Sequence, residues 1–393
     1  MSDTFCSLLW NHIQLNATGS CKPCCRFGDA RLYKQYGTNL NDAFHSDEAN
    51  SIRKDMLEGK RIKGCEKCYR DEMSDNEIPE FSGKSMRTFN NEKFNVDINN
   101  PKIEYLELIP SNVCNFSCVM CNLTSSSEWY EDTIYLQNNN FMLKKDVERF
   151  NSNYLNLDGI DLSNLIELKL LGGEPFFEKE NLKLLTKLKE YNRLSELTFH
   201  THTNASFIPS KEWQSLLSEI NKIDLSVSME GYGKYNEYIR YGSKWETTFK
   251  VINFWHDFAK KHKNVTLKIH CVVSIYNLFH IEDFKWFLIE HGLCSTDASS
   301  VYTKPGYPKV ILNFDVLNRP EYLSIINLPK EFKEQATKKI TRDRYTEKIL
   351  DALSQQGSSE MFEKFKTYTR LLEKKRKNSI SSFDYVMEEM LYE

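Results

Sequence analysis

From about residue 101 onward, short runs of apolar and β-branched residues alternate with longer segments whose apolar residues recur at three-to-four spacing. The short runs are typical of buried strands, and the longer segments, such as LKLLTKLKEYNRL and FKWFLIEHGL, of amphipathic helices. The pattern predicts strands at 103–109, 166–171, 196–201, 222–229, 265–273 and 309–314. Strands that alternate with helices predict an α/β fold with a parallel sheet.

The number of strand–helix units limits the architecture. Six units within residues 101–315 are too few for a closed eight-stranded barrel, so we expect an open, partial (βα)6 barrel. Chemistry in such a fold is expected at the carboxyl ends of the strands, where the loops that follow them converge.

The flanking regions follow other patterns. Residues 1–100 contain turns rich in Cys, Gly, Asn and Ser, and predict one or two hairpins, a helix near 47–58 and a small domain held together by a metal. Residues 316–393 form a predicted helical extension, strongly helical in composition from Lys330 onward. Its basic run LLEKKRKN is expected to be the solvated face of a helix that packs on the barrel. We therefore expect three regions, 1–100, 101–315 and 316–393.

Composition and charge exclude several classes of protein. With 40% apolar and 27% charged residues, 15 Gly and 10 Pro, the chain is neither collagen-like nor of low complexity. A net charge of −3 provides no global field for a polyanion, which argues against a non-specific nucleic-acid coat protein and leaves only a local patch open, so no clear nucleic-acid binding is expected. The amino terminus MSDTFCSLLWNHIQ lacks a signal-peptide pattern, and no apolar run reaches 18 residues. We therefore expect a cytoplasmic protein without a membrane partner.

Eleven cysteines are distributed unevenly along the chain. Six lie within the first 68 residues, three lie within one eight-residue stretch, and Cys271 and Cys294 are isolated. An odd count in a chain without a signal peptide argues against a disulfide framework and favours metal ligation. The distribution predicts two metal sites.

The stretch PSNVCNFSCVMCN carries the central motif. Cys114, Cys118 and Cys121 form C-x3-C-x2-C directly after the first predicted strand. Three thiolates can bind three irons of a [4Fe-4S] cluster and leave the fourth iron open to a substrate. The alternative is a zinc site, but it would need a fourth Cys or His at suitable spacing.

With these residues the chain resembles the radical S-adenosylmethionine (radical SAM) superfamily, whose hallmark is this loop after the first strand of a partial barrel. The resemblance covers about residues 100–315. It implies that SAM chelates the open iron and that one electron splits the sulfonium. The products would be methionine and a 5′-deoxyadenosyl radical, which abstracts a substrate hydrogen.

The resemblance also assigns roles to residues at the ends of later strands. The segment Gly172-Gly173-Glu174-Pro175 matches the GGEP motif, which receives the SAM amino group. Thr203 and Asn204 match a TN element. The remaining assignments are Ser228 and Glu230 to the ribose or substrate, Arg240 to the SAM carboxylate, and Ser274 and Asn277 to the adenine or ribose. Met120 stands where the family usually has an aromatic adenine contact, and its thioether can also pack on a purine.

The amino-terminal cysteines form a second pattern. Cys6 and Cys24 with Gly19 follow C-x12-G-x4-C, and Cys65 with Cys68 forms C-x2-C. Four thiolates can close the shell of a cluster completely. The pattern resembles the twitch domain, a shortened SPASM domain, and implies an auxiliary [4Fe-4S] cluster. Structural zinc is the alternative. Cys21 and Cys25 are left over, and either could replace Cys24.

Three functions are compatible with these patterns. The first is an oxidoreductase that passes a substrate electron to the auxiliary cluster. The second is a redox-neutral epimerase or mutase with a structural amino-terminal site, and the third is a binding module without turnover, which the complete motifs disfavour. The expected substrate is a small molecule, such as a nucleotide, sugar or amino acid, or a peptide. The resemblance implies an electron donor such as flavodoxin or ferredoxin.

Overall fold

Strands and helices alternate along most of the chain. A computed structural model describes residues 4–16, 20–28, 39–73, 85–143, 160–294 and 310–392, so Gly19 and Lys309 lie outside the described residues. The strands are β1 His12–Leu15, β2 Cys21–Lys22, β3 Tyr105–Leu108, β4 Glu167–Leu170, β5 Thr198–Thr203, β6 Lys222–Ser228, β7 Val265–Val273 and β8 Val310–Val316. The helices are α1 Leu8–Asn11, α2 Leu40–Phe44, α3 Asp47–Leu57, α4 Glu66–Glu72, α5 Met86–Lys93, α6 Tyr130–Asn138, α7 Lys179–Glu190, α8 Lys211–Glu219, α9 Lys234–Ile239, α10 Trp245–Lys261, α11 Ile281–Glu290, α12 Lys330–Lys339, α13 Glu347–Ser354, α14 Ser359–Arg376 and α15 Tyr385–Tyr392.

The strands form an eight-stranded sheet in the order β2-β1-β3-β4-β5-β6-β7-β8. The pairs β1/β3, β3/β4, β6/β7 and β7/β8 are parallel, and only β1/β2 is antiparallel among the pairs whose register is defined. Among the described strands, the order ends at β2 and β8, so the sheet is open. The predicted α/β class and the open, mostly parallel sheet are confirmed.

All six predicted strands are present. The prediction 265–273 coincides with β7, and the ends of the other predicted strands differ from the observed ends by at most two residues. The largest shift is at β5, because Leu194–Glu196 forms a short 3-10 helix before the strand begins at Thr198. Alternation explains the accuracy at β7, whose buried and half-buried residues follow one another without a break.

The amino-terminal region adds strands to the sheet. The antiparallel pair β1/β2 is one of the predicted hairpins, and α3 is the helix predicted near 47–58. That helix begins where the Ser46 side chain accepts a hydrogen bond from Ala49 N at 3.2 Å. The strand β1 also pairs in parallel with β3, from His12 beside Tyr105 to Leu15 beside Leu108, a pairing that the sequence pattern does not predict.

Contacts between Cα atoms divide the chain into two compact units. Unit 1 contains Met1–Asn112, Asn151–His200 and Ser215–Asn221, and unit 2 contains Val113–Phe150, Thr201–Gln214 and Lys222–Glu393. This division does not follow the boundaries expected near residues 100 and 315, which stay predictions. In unit 1, α1 contributes Leu8, Leu9 and Trp10 to a buried apolar cluster with Phe5 and Met56.

The carboxyl-terminal region is helical, as the sequence predicts. It contains α12 to α15, of which α14 is the longest. The buried residues Phe365, Tyr368 and Leu372 recur along one face of α14 and pack it within unit 2. Within the described ranges, no helix combines the length and apolar character that crossing a membrane requires.

Candidate functional site

The three central cysteines lie on a loop of unit 2 whose backbone is fixed by hydrogen bonds. Ser117 N donates to Tyr241 O at 3.0 Å, and Val119 N donates to Ile239 O at 2.8 Å. Cys121 N donates to Cys118 O at 2.9 Å and closes a turn. The loop is therefore attached on both sides of Cys118 to the segment that ends α9.

The thiols of this loop interact with one another. Cys118 is buried, and Cys114 and Cys121 are half-buried. The hydrogen bond with the Cys121 thiol lowers the pKa of Cys118 to about 7, against the raising effect of burial. The same hydrogen bond and burial raise the pKa of Cys121, and the charge of Cys114 adds to that rise. The structure thus brings the three predicted ligands together.

The donor atoms at this loop fit an iron–sulfur cluster. Thiolates are soft ligands that select iron–sulfur clusters, zinc or copper(I). Among the residues that the structure describes, no three His, Cys, Asp or Glu side chains are arranged around one point as ligands of a single ion. Three cysteines of a cubane cluster bind three different irons and do not need a common point. Three thiolates on this loop therefore fit a cluster with one iron that has no protein ligand.

Asn204 lies against the first cysteine of the loop. Its Nδ2 donates to Asn115 Oδ1 at 2.8 Å and lies 3.6 Å from Cys114 Sγ. Ser206 N donates to Asn204 Oδ1 at 3.0 Å and fixes the orientation of the amide. A side-chain amide placed this way stabilises a thiolate, because an N–H donor favours the charged form of its acceptor.

Glu230 and Arg240 form a buried ion pair in the same unit. Arg240 Nη1 lies 2.8 Å from Glu230 Oε2, and the two side chains are 10% and 2% exposed. Burial alone would lower the pKa of Arg240, but the charge of Glu230 raises it above its usual range. Within the described part of the chain, Arg240 Nε has no hydrogen-bond partner. One donor of a buried cation is thus left for a further acceptor.

Ser274 and Asn277 lie beside the backbone of Glu230, and their place next to the adenine or ribose of SAM stays a prediction. Both side chains are fully buried. Asn277 Nδ2 donates to Glu230 O at 2.9 Å, and Asn277 Oδ1 accepts from Ser274 N at 2.8 Å. These residues therefore hold the backbone of Glu230. Ser228 lies half-buried at the end of β6, beside His270 of β7, and Met120 is half-buried on the cysteine loop.

His280 packs against the chain that follows Glu230. Its ring lies 3.9 Å from the Tyr235 ring and 4.5 Å from the Tyr232 ring, and Tyr232 N donates to His280 Nε2 at 3.4 Å. Burial lowers the pKa of His280 to about 4, against the opposing charge of Asp283. The folded state therefore favours the neutral ring, which keeps Nε2 as an acceptor.

Protonation of His280 is expected to destabilise the fold in mildly acidic solution. Because its pKa falls from 6.5 in the unfolded chain to about 4, the unfolded state binds more protons between these values. The stabilisation is complete above pH 6.5 and is lost as the pH falls toward 4. This group alone should contribute a loss of about 2 kcal/mol between pH 7 and pH 5. Urea unfolding at both pH values measures it, and His280→Gln should remove that part of the pH dependence. An unchanged pH dependence in the variant would contradict the assignment.

The GGEP segment lies in unit 1. Gly172 has a φ of +115°, and a Cβ there would lie 2.5 Å from Ser111 O. Glu174 is buried, and its side chain accepts from Phe176 N at 3.4 Å at the start of the 3-10 helix Pro175–Phe177. Gly173 N donates to Ser111 O at 3.4 Å. The glycines are required by the backbone geometry, and the roles assigned to this segment toward SAM stay predictions.

Gly172→Ala is expected to lower the free energy of unfolding by at least about 3 kcal/mol, because it combines a left-handed φ with a backbone clash. Gly292→Ala is a matched control, because Gly292 has a φ of +68° but nothing within 4 Å of the added Cβ. The control should cost about 1–2 kcal/mol. Urea unfolding measures both. Equal losses would show that Ser111 O does not restrict this position.

In unit 1 the four predicted amino-terminal ligands also lie together. Cys6 belongs to the buried cluster around Trp10, and Cys24 and Cys65 pack against that cluster. Burial and the charges of Cys65 and Cys68 raise the pKa of Cys6 to about 12. The pKa of Cys24 is raised by burial and by Cys6, Cys25 and Cys65.

The two remaining cysteines of this region lie in other surroundings. Burial alone raises the pKa of Cys21 to about 12. Cys25 is exposed, and its Sγ lies 3.8 Å from Met86 Sδ. The geometry therefore favours Cys6, Cys24, Cys65 and Cys68 as the ligand set. The identity of the metal at this site stays a prediction.

The basic run at the end of α14 is less exposed than the sequence predicts. Arg376 is 5% exposed and Lys375 is 23% exposed, and both contact Asp132, which is 6% exposed. The prediction of a solvated face is wrong for Arg376, whereas Lys374 and Lys377 are exposed. Asp132 and Asn115 were not predicted, because single polar residues outside a motif give no recognisable pattern.

Comparison with known proteins gives structural neighbours only. No family model and no curated protein matches the chain. The chain is similar to Streptococcus suis SuiB bound to S-adenosylmethionine, with 15% identity, 58% of this chain and 42% of that chain covered, and a TM-score of 0.31. It is similar to native anSMEcpe with bound AdoMet and Cp18Cys peptide, with 18% identity, coverage of 69% and 59%, and a TM-score of 0.34.

TYW1 with a lysine-pyruvate adduct bound is a third neighbour, with 14% identity, coverage of 58% and 70%, and a TM-score of 0.29. SuiB and anSMEcpe hold S-adenosylmethionine (AdoMet) in these structures. The matched part spans 42% of the SuiB chain and 59% of the anSMEcpe chain. Likenesses with TM-scores between 0.29 and 0.34 decide neither substrate nor reaction, so the function rests on the residues of this chain.

Proposed function

We propose that this protein is a radical SAM enzyme in which Cys114, Cys118 and Cys121 hold a [4Fe-4S] cluster with one open iron. The observation that carries the proposal is the gathering of these three thiols on one loop, fixed by backbone hydrogen bonds on both sides of Cys118. With SAM and one electron from a donor such as flavodoxin or ferredoxin, the cluster would supply a 5′-deoxyadenosyl radical that takes a hydrogen atom from the substrate.

The surrounding side chains have separate tasks in this proposal. Asn204 supports the thiolate of Cys114, because its amide lies 3.6 Å from the sulfur. Glu230 orients the Arg240 guanidinium, and the unpartnered Nε of Arg240 is the donor that would receive the SAM carboxylate. By resemblance, Glu174 would receive the SAM amino group, and Met120 would pack on the adenine.

The metal bound at the amino-terminal cysteines distinguishes a net oxidation from a redox-neutral reaction. We propose that Cys6, Cys24, Cys65 and Cys68 hold an auxiliary [4Fe-4S] cluster with no open iron. It would accept one electron from a substrate radical that also loses a proton, which gives a net two-electron oxidation. The substrate would be a small molecule or a peptide. The alternative is a structural zinc at these four cysteines and a redox-neutral reaction.

Metal counting separates these alternatives. The full chain is reconstituted anaerobically, and iron, sulfide and zinc are measured for the wild type, for Cys114→Ala/Cys118→Ala/Cys121→Ala and for Cys65→Ala/Cys68→Ala. We expect about eight irons in the wild type and about four in each variant. About four irons falling to none in the triple variant, with one zinc retained, would support the redox-neutral alternative. Iron that is unchanged in the triple variant would contradict the proposal.

A further inference from the structure

The carboxyl-terminal helix α14 contacts the cysteine loop. Tyr368 Oη donates to Val119 O at 2.6 Å, and Arg376 Nη2 donates to Ser117 O at 2.8 Å. Both contacts lie within unit 2 and join residues more than 240 positions apart in the chain. The two acceptors are the residues on either side of Cys118.

Other side chains complete this support of the loop. Trp129 Nε1 donates to Cys118 O at 2.9 Å, and Ser126 Oγ donates to Phe116 O at 2.6 Å. Every carbonyl from Phe116 to Val119 thus accepts a side-chain hydrogen bond. Arg376 is the only one of these four donors that carries a charge.

The charge of Arg376 is buried and only partly balanced. Its guanidinium lies 4.5 Å from the centre of the Tyr241 ring and 5.3 Å from that of Trp129. Asp132 contacts Arg376 at 2.5 Å and Lys375 at 2.6 Å, so one carboxylate faces two cations. The group of Arg376, Lys375 and Asp132 therefore carries one net positive charge. Screening by water is weak there, because the Arg376 and Asp132 side chains are 5% and 6% exposed.

This charge lies directly beside the cysteine loop, because the Arg376 guanidinium donates to the carbonyl of Ser117, the residue before Cys118. A buried positive charge this close to a cluster favours the reduced cluster, because the added electron makes the cluster more negative.

We propose that Arg376, balanced by Asp132, is a positioning residue that raises the reduction potential of the cluster held by Cys114, Cys118 and Cys121. This inference rests on the proposed function. The step concerned is the gain of one electron by the cluster from an external reductant, without transfer of a proton or formation of a bond. The carboxyl-terminal helix thereby acts on the cluster through charge as well as through packing.

The test is a redox titration of the reconstituted full chain, followed by electron paramagnetic resonance (EPR). The signal measured is the one that Cys114→Ala/Cys118→Ala/Cys121→Ala removes. Arg376→Gln should lower the ratio of reduced to oxidised cluster about tenfold at a fixed solution potential, a shift of about 59 mV for one electron. Asp132→Asn should shift the ratio in the opposite direction, because it leaves two cations without a carboxylate.

Two variants serve as controls. Arg376→Lys keeps the charge and should stay within about twofold of the wild-type ratio, and so should Lys374→Gln, which removes an exposed charge from the same helix. If Arg376 had a merely structural role, Arg376→Gln and Asp132→Asn would shift the ratio of reduced to oxidised cluster in the same direction, because both variants break the same contact. That result, or no shift in either variant, would overturn the inference.

Failure of the proposed function is recognised separately. It would appear as a wild type with no EPR signal that depends on the three cysteines. A wild type with this signal but with no opposite shifts in the variants would contradict the inference alone. If Arg376→Gln does not fold, Asp132→Asn decides the inference. Its expected increase in the ratio of reduced to oxidised cluster would come from the two cations that lose their carboxylate.

Discussion

Cys118→Ala is expected to abolish the cleavage of SAM to 5′-deoxyadenosine. Cys118 is the most buried of the three loop cysteines, and its thiol forms a hydrogen bond with the thiol of Cys121. Loss of this thiolate leaves one iron without a protein ligand and leaves two cysteines to hold the cluster. Because residues that only support metal ligands already contribute 10–100-fold, the loss should exceed about a hundredfold. Chromatography of the products after reduction with dithionite measures it.

Cys294→Ala is the matched control for this prediction. Cys294 is half-buried in unit 2 and lies outside both cysteine groups. This variant should form 5′-deoxyadenosine at the wild-type rate. A Cys118→Ala protein that keeps the wild-type rate and iron content would show that the loop does not hold the catalytic cluster.

Glu230→Gln is expected to lower the free energy of unfolding by about 3–5 kcal/mol. The carboxylate is 2% exposed and bonds Arg240 Nη1 at 2.8 Å, so its loss leaves a buried guanidinium without a counter-charge. Such a charge costs more than the ion pair contributes, because water cannot reach it. Urea unfolding of the protein without metal measures the change independently of any cluster.

Two further variants test the cause of this loss. Glu230→Gln/Arg240→Gln should recover part of the stability, because no uncompensated charge remains. Glu334→Gln breaks the exposed pair with Lys330, whose side chains are 58% and 88% exposed, and should change the free energy of unfolding by less than about 0.5 kcal/mol. A double variant less stable than Glu230→Gln would contradict the explanation by an unpaired buried charge.

The sequence predicted those parts of the fold that depend on periodicity. The strands from β3 to β8 follow from runs of apolar residues between amphipathic segments, and α3 lies where a helix is predicted near 47–58. Both cysteine groups were also recognisable from the sequence, because cysteines at short, regular spacings are typical of metal-binding motifs. The structure was needed to show that Cys24 and Cys65, which are 41 positions apart in the sequence, lie close together.

Other features had no local pattern. The strand β1 is only four residues long, and its parallel partner β3 is about ninety positions away. LLEKKRKN has the composition of a solvated face, but Arg376 contacts Asp132, Trp129 and Ser117, each more than 240 positions away. The resemblance places Asn277 near the adenine or ribose, and the structure was needed to show that its amide also donates to the backbone carbonyl of Glu230. Long-range polar pairs of this kind are decided by tertiary packing.

The most direct test of the open iron is the response of the reduced cluster to SAM. EPR spectra of the reduced, reconstituted full chain are recorded with and without SAM, and the signal that depends on Cys114, Cys118 and Cys121 is compared. A cluster with three cysteine ligands should change its spectrum when SAM binds, because SAM chelates the fourth iron. A spectrum that depends on these cysteines but is identical with and without SAM would contradict the proposed function.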